Sequence, residues 1–548
     1  MSNIKTEIDE AISRDSSNAI FDYFSTELLC KMVLYLNNNK KDGMEGLTSD
    51  YFIHAPVEFY ELLSMLFNSM LVHGFVPASM ISGVMIPIPK GKGAKVLCLS
   101  DNYRAIALSS IASKLFELYI IEVERDKLFS SNLQFGYKAG LSTTMCTGAM
   151  CEVINYYVSN GSNVHMLMLD ASKAFDRVRY CKLFRILMSR NLPAFLLRIL
   201  LYMYINQMLY VNWKTCQSCS FSVCNGTKQG GIISPLFYII YADGLLVRLS
   251  ECGAGCYIGF QFAGAFGYAD DLNLVAPTLR ALRIMIKVCE MYAEEFSILF
   301  NGTKSKLIDF VGLNNKLPIG RHVLYKGKDY RLDVRVNGAP VEQVESEVHL
   351  GHRISPAHQG ADVKKGIKDF WVHYNCFRAR YGRFPSTVQF RLFNAFCMSL
   401  YGSAIFDISN CNQLFTAHRK ALRGLFRIPR TTHCDVIDII QKPTELILMD
   451  RFSKFLDNCL KLPYEHPVRL IMLTSLDNKS SLISKNLSHC LRYRSDFIGN
   501  VNHLIDSRGP DINVLFDMCD VRDGLFTCHN FGPRDVKYLI DYICLVID

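Results

Sequence analysis

Two apolar runs that end in acidic residues constrain the fold of this chain more than any other feature of its sequence. Residues 165–170 are HMLMLD and residues 267–275 are GYADDLNLV, so that Asp170 closes the first run and Asp270 and Asp271 interrupt the second. Runs of this length and composition are typical of buried β-strands, and the acids lie where a strand meets a turn. The two runs therefore predict neighbouring strands whose ends carry three carboxylates.

The segments around these runs alternate between strand patterns and helix patterns. Short apolar runs are bounded by glycine and proline, other apolar residues recur at helical spacing, and Pro235 fits the first turn of a helix. The patterns predict strands at 84–89 and 164–169, hairpins at 208–223 and 268–271, and helices at 109–127, 171–188, 234–249 and 278–295. This order predicts an α+β fold with helices on one face of an antiparallel sheet, followed after residue 356 by a mainly helical region.

Carboxylates at neighbouring strand ends suit one kind of chemistry. Paired acids can hold two divalent ions a few Å apart, and such ions activate an attacking hydroxyl and neutralise charge during phosphoryl transfer. Oxygen ligands of this kind favour Mg²⁺ or Mn²⁺ over zinc. For any one acid taken alone the alternative is structural, with Asp170 as a helix N-cap and Asp270 and Asp271 as turn residues.

Seven short motifs that follow one another along the chain favour the chemical interpretation. They are NYRAI at 102–106, QFGYK at 134–138, LMLDASKAFDRV at 167–178, GTKQGG with the following SP at 226–235, YADD at 268–271, the segment 301–306 and HLG at 349–351. Each motif is weak alone, but the ordered set is specific. Over about residues 84–356 the chain resembles reverse transcriptases, in the style of non-LTR retrotransposons (LINE elements).

The resemblance implies a right-hand polymerase built from fingers, palm and thumb. It implies four regions: an N-terminal helical extension at 1–83, fingers and palm at 84–313, a primer-grip region at 314–356, and a helical thumb with a C-terminal extension at 357–548. The palm is then the antiparallel sheet that carries the three acids.

The resemblance also implies roles for individual residues. The metal-binding and catalytic acids are Asp170, Asp270 and Asp271, and Lys304 matches the proposed general acid for the pyrophosphate leaving group. The residues that match nucleotide-binding positions are Arg104, Lys138, Phe175, Gln229 and Gly230. Leu350 and Gly351 match the primer-grip turn that positions a 3′ end.

Three of these assignments have a plain structural alternative. Arg104 suits a triphosphate because of its planar guanidinium, but it also suits a surface ion pair. Lys138 is equally compatible with a solvated lysine. Phe175 matches the aromatic residue that excludes a 2′-hydroxyl, and its spacing also fits a core residue of an amphipathic helix.

A basic stripe is predicted further along the chain. Arg419, Lys420, Arg423 and Arg427 recur at mostly helical spacing, as does Arg430 beyond them. The stripe predicts either a solvated helix face or a thumb helix that follows the phosphates of a template–primer duplex, with salt-sensitive binding. The formal net charge of +9 permits an acidic partner but does not identify one.

The cysteines indicate the compartment. The chain has 20 cysteines but no apolar signal segment at its start, which predicts reduced thiols in a nuclear or cytoplasmic protein that is not secreted. No apolar stretch is long enough to cross a bilayer, so a membrane partner is not expected. Cys216, Cys219 and Cys224 lack the complete spacing of a zinc knuckle and are expected to be free thiols.

Together these features predict an RNA-directed DNA polymerase with two Mg²⁺ or Mn²⁺ ions, whose partners are an RNA template, a DNA primer and dNTP substrates. Fewer than 90 residues precede the first predicted core strand, too few for a LINE endonuclease. The chain is therefore expected to be either a truncated copy or a polymerase that depends on a nick made by another protein. Two alternatives stay open: a catalytically silent RNA-binding relative, and an RNA-dependent RNA polymerase. The intact acids count against the first, and Ala269 in place of the glycine typical of RNA-dependent RNA polymerases counts against the second.

Overall fold

The computed structural model divides into two compact units. It describes residues 2–14, 22–43, 46–90, 99–313, 323–325, 328–330, 333–356, 363–432, 434, 437–438 and 441–493. The first unit comprises Met1–Cys146 and Tyr157–Glu347, and the second comprises Thr147–Tyr156 and Val348–Asp548. The four regions predicted from the sequence stay predictions.

The first unit contains eleven helices within the described residues. They are α1 (Ser2–Arg14), α2 (Thr26–Met32), α3 (Ser49–Ile53), α4 (Val57–His73), α5 (Ala78–Ile81), α6 (Ile111–Val123), α7 (Thr143–Ser159), α8 (Tyr180–Ser189), α9 (Ala194–Ile205), α10 (Ser234–Glu251) and α11 (Leu279–Phe296). Residues 147–156 of α7 are counted with the second unit.

The strands of the first unit are mostly short. They are β1 (Ser82–Pro89), β2 (Tyr103–Ser109), β3 (Val164–Leu169), β4 (Met208–Trp213), β5 (Cys216–Gln217), β6 (Phe221–Ser222), β7 (Tyr257–Ile258), β8 (Gln261–Phe262), β9 (Ala265–Tyr268), β10 (Asp271–Ala276), β11 (Lys306–Phe310), β12 (Val323–Tyr325), β13 (Lys328–Tyr330), β14 (Arg335–Val336), β15 (Ala339–Pro340) and β16 (Glu342–Gln343).

A five-stranded sheet with the order β16-β11-β3-β10-β9 lies at the centre of the first unit. Its strand pairs are antiparallel except for the outer pair of β11 and β16. In β10 every residue from Leu272 to Ala276 is buried, as expected of a strand covered on both faces. Helix α10 packs against β9, and α11 packs against β3 and β10. The predicted α+β class is confirmed by this arrangement.

A second sheet brings distant parts of the first unit together. Its order is β2-β1-β4-β5, and β6 also pairs with β4. Strands β1 and β2 are antiparallel from Gly83 opposite Ser109 to Pro89 opposite Tyr103. Strand β4 joins β1 in parallel, because the intervening chain crosses over through helices. The predicted loop at 90–95 lies, after Lys90, outside the described residues.

Most predicted elements have their counterparts in the structure, and one prediction was wrong. The strands at 84–89 and 164–169, the two hairpins, and the helices at 109–127, 234–249 and 278–295 are present within a few residues of their predicted bounds. The predicted helix at 171–188 begins only at Tyr180, after a single 3₁₀ turn at Phe175–Arg177. Tertiary hydrogen bonds hold the chain there, from Ser172 N to Leu299 O and from Thr227 N to Phe175 O, and Lys173 has a positive φ of 51°.

The second unit is mainly helical after its opening hairpin, as predicted. Its described elements are the hairpin of β17 (Glu347–His349) and β18 (His352–Ile354), the helices α12 (Val363–Tyr381), α13 (Ser386–Cys397), α14 (Asn412–Phe426), α15 (Thr444–Leu460) and α16 (Pro467–Asp477), and a helix at 482–493. Phe370 and Phe393 are fully buried where α12, α13 and α14 pack together. Pro385 and Pro443 precede α13 and α15, since proline disfavours continuation of the preceding helix.

Candidate active site

The hairpin of β9 and β10 carries two of the three acids. Asp271 lies opposite Tyr268 in the antiparallel register, so Ala269 and Asp270 form a two-residue turn. On the other side of β10, Leu272 lies opposite Leu169 of β3. Because the strands are antiparallel, Asp271, which precedes Leu272, and Asp170, which follows Leu169, lie at the same end of the sheet. The structure thus brings Asp170, Asp270 and Asp271 together.

The three acids affect one another electrostatically. Burial raises the pKa of Asp270, the charge of Asp170 raises it further, and a backbone hydrogen bond and Arg104 act in the opposite direction. Burial, followed by the charges of Asp270 and Asp170, raises the pKa of Asp271 to about 6. The site therefore has an excess of negative charge that a bound cation would relieve.

The donor set fits a divalent metal ion by its chemistry. All three side chains are carboxylates, the hard oxygen ligands that Mg²⁺ and Mn²⁺ prefer, and their mutual repulsion favours a cation between them. In the part of the chain that the structure describes, no three His, Cys, Asp or Glu side chains are already grouped closely enough to hold a metal ion. The residues therefore fit the ion by the type of their ligand atoms.

The segment after α11 fixes the end of β3 that carries Asp170. The Asp170 N–H donates to Ser305 Oγ at 3.2 Å, and the Asn301 N–H donates to the Asp170 carbonyl at 2.9 Å. Ser305 Oγ in turn donates to the Asn301 carbonyl at 2.8 Å. Lys304 is exposed on this same turn. The structure therefore places Lys304 one residue from a direct backbone contact of Asp170.

Arg104 and Tyr137 face the acids from other elements. Arg104 is exposed on β2 opposite Ile88, and it lies near enough to Asp270 to oppose the rise in its pKa. Tyr137 is 56% exposed and has a positive φ of 56°. Partial burial raises the pKa of Tyr137, and the charge of Asp270 raises it further. Tyr137 therefore presents a protonated hydroxyl beside Asp270 and Arg104.

Phe175 is held from two sides. Its ring stacks on Tyr238 of α10, with centroids 4.5 Å apart and planes inclined by 23°. Its backbone carbonyl accepts from the Thr227 N–H at 2.8 Å. Gly226, at φ 86°, approaches the backbone so closely that a Cβ there would lie 2.9 Å from the Asp176 Cα. Phe175 is therefore fixed by a ring contact and a backbone contact, in a 3₁₀ turn rather than in the predicted helix.

The loop that contains Gln229 and Gly230 lies directly on β2. The Ala107 N–H donates to the Gln229 carbonyl at 2.6 Å. Gly230 has φ 120°, and a Cβ at this position would collide with the Ala107 carbonyl. Only glycine therefore allows this close approach.

A buried acid supports the same loop. Glu117 of α6 accepts from the Ile232 and Ile233 N–H groups at 2.7 and 3.1 Å, just before α10 begins. Lys228 is half-buried near Glu117, and burial lowers its pKa while the Glu117 charge opposes this change. The loop is thus braced by a carboxylate that accepts backbone N–H groups at the start of a helix.

Lys138 points into a local network. Its ammonium donates to the carbonyls of Ser130 and Ser131 at 2.8 and 2.7 Å. Burial lowers the pKa of Lys138, and the nearby charge of Asp243 opposes this effect. Asp243 accepts from the Ser131 N–H at 2.7 Å and pairs with Arg190 at 3.5 Å. The Lys138 ammonium therefore holds the loop before it through two carbonyls, while Asp243 ties the same loop to α10.

The second unit contains the remaining predicted site residues. Leu350 and Gly351 form the turn between β17 and β18, with φ values of 47° and 81°. In the basic stripe, Arg419 pairs with Asp438 through two hydrogen bonds, and Arg423 donates to the Thr432 carbonyl. Lys420 and Arg427 are exposed. Two of the four basic side chains are therefore engaged within the unit.

Sequence reasoning missed three residues of the site. Tyr137, Tyr238 and Glu117 each contact a predicted site residue or its loop. Glu117 left a signal, because it is an acid on the apolar face of the α6 pattern. Tyr137 stood inside a recognised motif, and Tyr238 follows the SP pair closely. No sequence pattern specified their contacts, which arise from tertiary packing.

Comparisons with known proteins agree with this geometry. Residues 88–339 match the family model described as reverse transcriptase (RNA-dependent DNA polymerase). A retrovirus-related Pol polyprotein from the type-1 retrotransposable element R2 of Nasonia vitripennis is 23% identical over 282 residues, covering 51% of this chain and 27% of the relative. A probable RNA-directed DNA polymerase from transposon X-element of Drosophila melanogaster is 24% identical over 219 residues, covering 39% and 24%.

Two further matches complete the comparison. The transposon TX1 uncharacterized 149 kDa protein of Xenopus laevis is 26% identical over 289 residues, covering 50% of this chain and 21% of the relative. A solved telomerase from Candida albicans aligns over 77% of this chain and 66% of its own, with 11% identity and a TM-score of 0.36, a likeness that by itself defines no fold. The chain spans about a quarter of the length of the curated relatives it matches.

The central sheet with its acid-bearing hairpin is the palm of a right-hand polymerase. Residues 88–339 match the reverse transcriptase family, and the chain is similar over this region to proteins of non-LTR retrotransposons, the LINE type. Among the helices that the structure describes, none combines the length and apolar character needed to cross a membrane.

Proposed function

We propose that this chain is an RNA-directed DNA polymerase that copies RNA into DNA by two-metal nucleotidyl transfer. The observation that carries the proposal is the meeting of Asp170, Asp270 and Asp271 at one end of paired strands β3 and β10. In the reaction a primer 3′-hydroxyl attacks the α-phosphate of a dNTP, a phosphodiester bond forms and pyrophosphate leaves. The proposed partners are an RNA template, a DNA primer and dNTPs.

Asp170 and Asp270 are the residues that would hold Mg²⁺ or Mn²⁺, and Asp271 adds negative charge beside them. When bound, two such ions lower the pKa of the attacking hydroxyl and neutralise charge on the phosphate and leaving oxygens. The raised pKa values of Asp270 and Asp271 support this assignment, since they reflect first burial and then like charges, both of which a bound cation would offset.

Arg104 is proposed to bind the triphosphate of the incoming nucleotide. Its guanidinium is exposed on β2 and lies close enough to Asp270 for the two charges to interact. A planar group with fixed donors suits phosphate oxygens. Gln229 and Gly230 would line the base and backbone of the same nucleotide, because Gly230 keeps their loop against β2.

Phe175 is proposed to select deoxynucleotides. Its ring would lie under the sugar and collide with a 2′-hydroxyl. This selection requires a ring that is held in a fixed position. The stacking on Tyr238 and the backbone contact with Thr227 supply that rigidity. Lys304 is proposed to donate a proton to the leaving pyrophosphate, which its exposed position next to the Asp170 segment allows.

The remaining partners are proposed from the resemblance and the surface charge. The Leu350–Gly351 turn would hold the primer end, and the basic side chains of the second unit would bind duplex phosphates. The resemblance would place such copying at a nick in chromosomal DNA, in the nucleus.

The test is extension of a DNA primer on an RNA template with Mg²⁺, comparing dNTPs with NTPs. Asp270→Asn removes one proposed metal ligand and should reduce extension by at least about a thousandfold. The matched control is Asp333→Asn, at an exposed aspartate that pairs with Arg335 away from the site. Its extension should equal that of the wild type.

Each result has a defined meaning. Extension with dNTPs alone that is lost in Asp270→Asn and kept in Asp333→Asn supports the proposal. Equal use of NTPs would contradict the role of Phe175 and favour an RNA polymerase. Tight RNA binding without extension would replace the proposal with a catalytically silent RNA-binding protein.

A further inference from the structure

The turn that carries Asp270 has a backbone conformation that needs outside support. Ala269 has φ 58°, in the left-handed region that disfavours residues with a Cβ. Asp270 follows it directly, so a change at Ala269 would redirect the Asp270 carboxylate. Contacts from other parts of the fold are therefore needed to stabilise the backbone conformation of Ala269.

Gln134 holds Ala269 from both sides. Its Oε1 accepts from the Ala269 N–H at 2.9 Å, and its Nε2 lies 3.4 Å from the Ala269 carbonyl. Oε1 also accepts from the Gly136 N–H at 2.9 Å. One amide group therefore bonds the peptide before Ala269 and approaches the peptide after it, which restricts both backbone angles of that residue.

Gln134 is itself fixed in place. It is 1% exposed, and its segment pairs with β9 through Phe135 N to Gly267 O at 2.7 Å and Gly267 N to Leu133 O at 2.9 Å. The Gln134 N–H donates to the Ser131 carbonyl at 3.1 Å. Because the main chain on either side is bonded, the side chain has little freedom to follow a moving turn.

We propose that Gln134 is a positioning residue that sets the direction of the Asp270 carboxylate by fixing the Ala269 backbone. This inference rests on the proposed function, because it assigns a role in the same reaction. It explains why QFG forms one motif: Gln134 bonds the turn, Phe135 pairs with β9, and Gly136 leaves room for Ala269. A Cβ on Gly136 would collide with the Ala269 nitrogen.

Kinetic constants distinguish a positioning role of Gln134 from a merely structural role. A residue that orients a carboxylate for the chemical step affects kcat, whereas general loosening of the unit also raises KM and lowers the melting temperature. We therefore measure kcat, the KM for dNTP, the KM for template–primer and the melting temperature on the full chain.

Two variants of Gln134 differ in the property at issue. Gln134→Met has similar length but no acceptor, and leaves the N–H groups of Ala269 and Gly136 without their partner. Gln134→Glu keeps an acceptor oxygen for both. We expect kcat to fall about a hundredfold in Gln134→Met and no more than about tenfold in Gln134→Glu, with both KM values within about twofold of the wild type.

Gln207→Met is the matched control. Gln207 is also buried, at 2% exposure, and within the described residues its Nε2 has no hydrogen-bond partner. The same exchange of amide for thioether there should leave kcat unchanged.

The possible results decide the inference. A fall in kcat confined to Gln134→Met and relieved in Gln134→Glu supports it. Three results would overturn it: an unchanged kcat in Gln134→Met, a kcat in Gln134→Glu no higher than in Gln134→Met, or a parallel change of kcat, both KM values and melting temperature. In each case an active wild-type chain would leave the proposed function intact. A wild-type chain without extension would instead remove the proposed function and this inference with it.

Discussion

Two hairpin turns of this chain have similar backbones but different supports. The Ala269–Asp270 turn joins β9 to β10 in the first unit, and the Leu350–Gly351 turn joins β17 to β18 in the second. Both contain a non-glycine residue with positive φ, 58° at Ala269 and 47° at Leu350. Each must therefore be stabilised by contacts from outside the hairpin.

The difference lies in how accessible those contacts are. Gln134, which holds the first turn, is buried. The second turn is held by Tyr401, whose hydroxyl donates to the Leu350 carbonyl at 2.8 Å, and by Lys365, whose ammonium donates to the Gly351 carbonyl at 2.7 Å. Both of these side chains are exposed, so water competes with their hydrogen bonds.

Under the proposed function, the comparison implies that one backbone shape would serve two different requirements. A carboxylate for the chemical step needs one fixed direction, which a buried and fully bonded support gives. A turn that contacts a primer must accept a new primer end after every addition, and weaker, solvent-exposed supports allow that adjustment. On this basis, we expect mutations at the first turn to have the larger effects.

The largest expected effect comes from adding one methyl group beside each turn. Gly136→Ala places a Cβ against the Ala269 backbone nitrogen, which cannot move without displacing Asp270. We expect kcat to fall more than about a hundredfold. Gly351→Ala places a Cβ 2.8 Å from the Tyr401 ring, a side chain that can rotate, and adds only the cost of positive φ. We expect about a tenfold loss there or less.

Gly253→Ala is the control for the cost of placing alanine at a positive φ in the comparison of Gly136→Ala with Gly351→Ala. Gly253 has φ 67° and no atom within 4 Å of the added Cβ, so it tests strain without collision. Primer extension at saturating dNTP, with melting temperatures measured in parallel, gives the comparison. Equal losses in Gly136→Ala and Gly351→Ala would contradict the difference between the two turns.

Each of the two units holds a buried acid. Glu117 in the first unit accepts two backbone hydrogen bonds. Glu152 in the second accepts from the Leu482 N–H at 3.2 Å, and burial raises its pKa from 4.5 to about 7. Because the folded-state pKa of Glu152 exceeds its unfolded value, the contribution of Glu152 to stability is greatest below pH 4.5 and is lost as pH rises to about 7.

The size of this effect follows from the shift. The rise in the pKa of Glu152 corresponds to a loss of about 3 kcal/mol in the free energy of unfolding as pH rises from 4.5 to about 7. Glu152→Gln carries no charge at any of these pH values, so the fall in its melting temperature between pH 5 and pH 8 should be smaller than that of the wild type. Glu465→Gln, at an exposed glutamate, is the control. A wild-type pH dependence in Glu152→Gln would contradict the prediction.

A third prediction concerns nucleic-acid binding by the second unit. Lys368, Arg380 and Arg383 on and just after α12 are exposed and, within the described residues, form no ion pair. Arg419 and Arg423 of α14 are instead bonded to Asp438 and Thr432. We therefore expect the α12 side chains to contribute more to duplex binding than these two arginines of the predicted stripe.

The test replaces each set with glutamine. The triple variant at Lys368, Arg380 and Arg383 should weaken binding of an RNA–DNA duplex about tenfold in low salt and reduce the slope of log K against log salt by about 2 to 3. Arg419→Gln with Arg423→Gln should lower the melting temperature and change the salt slope by less than 1. The reverse pattern would restore the predicted stripe as the binding face.

Much of the fold could be predicted because its signals are local. The apolar runs at 164–169 and 271–276, the Ser234-Pro235 start of α10 and the Thr278 cap of α11 all encode their elements in nearby residues. The predicted helix at 171–188 failed because hydrogen bonds to Leu299 and Thr227, far away in sequence, outweigh its helical spacing.

The residues of the site could likewise be predicted from the sequence, but their contacts with one another could not. The order of the motifs pointed to Asp170, Asp270 and Asp271, and the register of β3, β9 and β10 brings them together. The sequence did not reveal that the Lys138 ammonium bonds Ser130 and Ser131, or that Gln134 bonds the Ala269 turn. These depend on the geometry of loops, which periodicity does not specify.

The smallest expected effect tests the softer of the two turns. Tyr401→Phe removes the hydroxyl that donates to the Leu350 carbonyl but keeps the ring, which stacks on His352 with centroids 5.0 Å apart. Loss of one exposed hydrogen bond is worth about 1 kcal/mol, so the KM for template–primer should rise about fivefold, with the KM for dNTP and kcat unchanged. Tyr464→Phe, at an exposed tyrosine whose ring lies near Arg469, should change none of these constants. A fall in kcat as large as that expected for Gln134→Met would mean that both turns are equally rigid supports of the chemical step, because an adjustable primer contact would change KM alone.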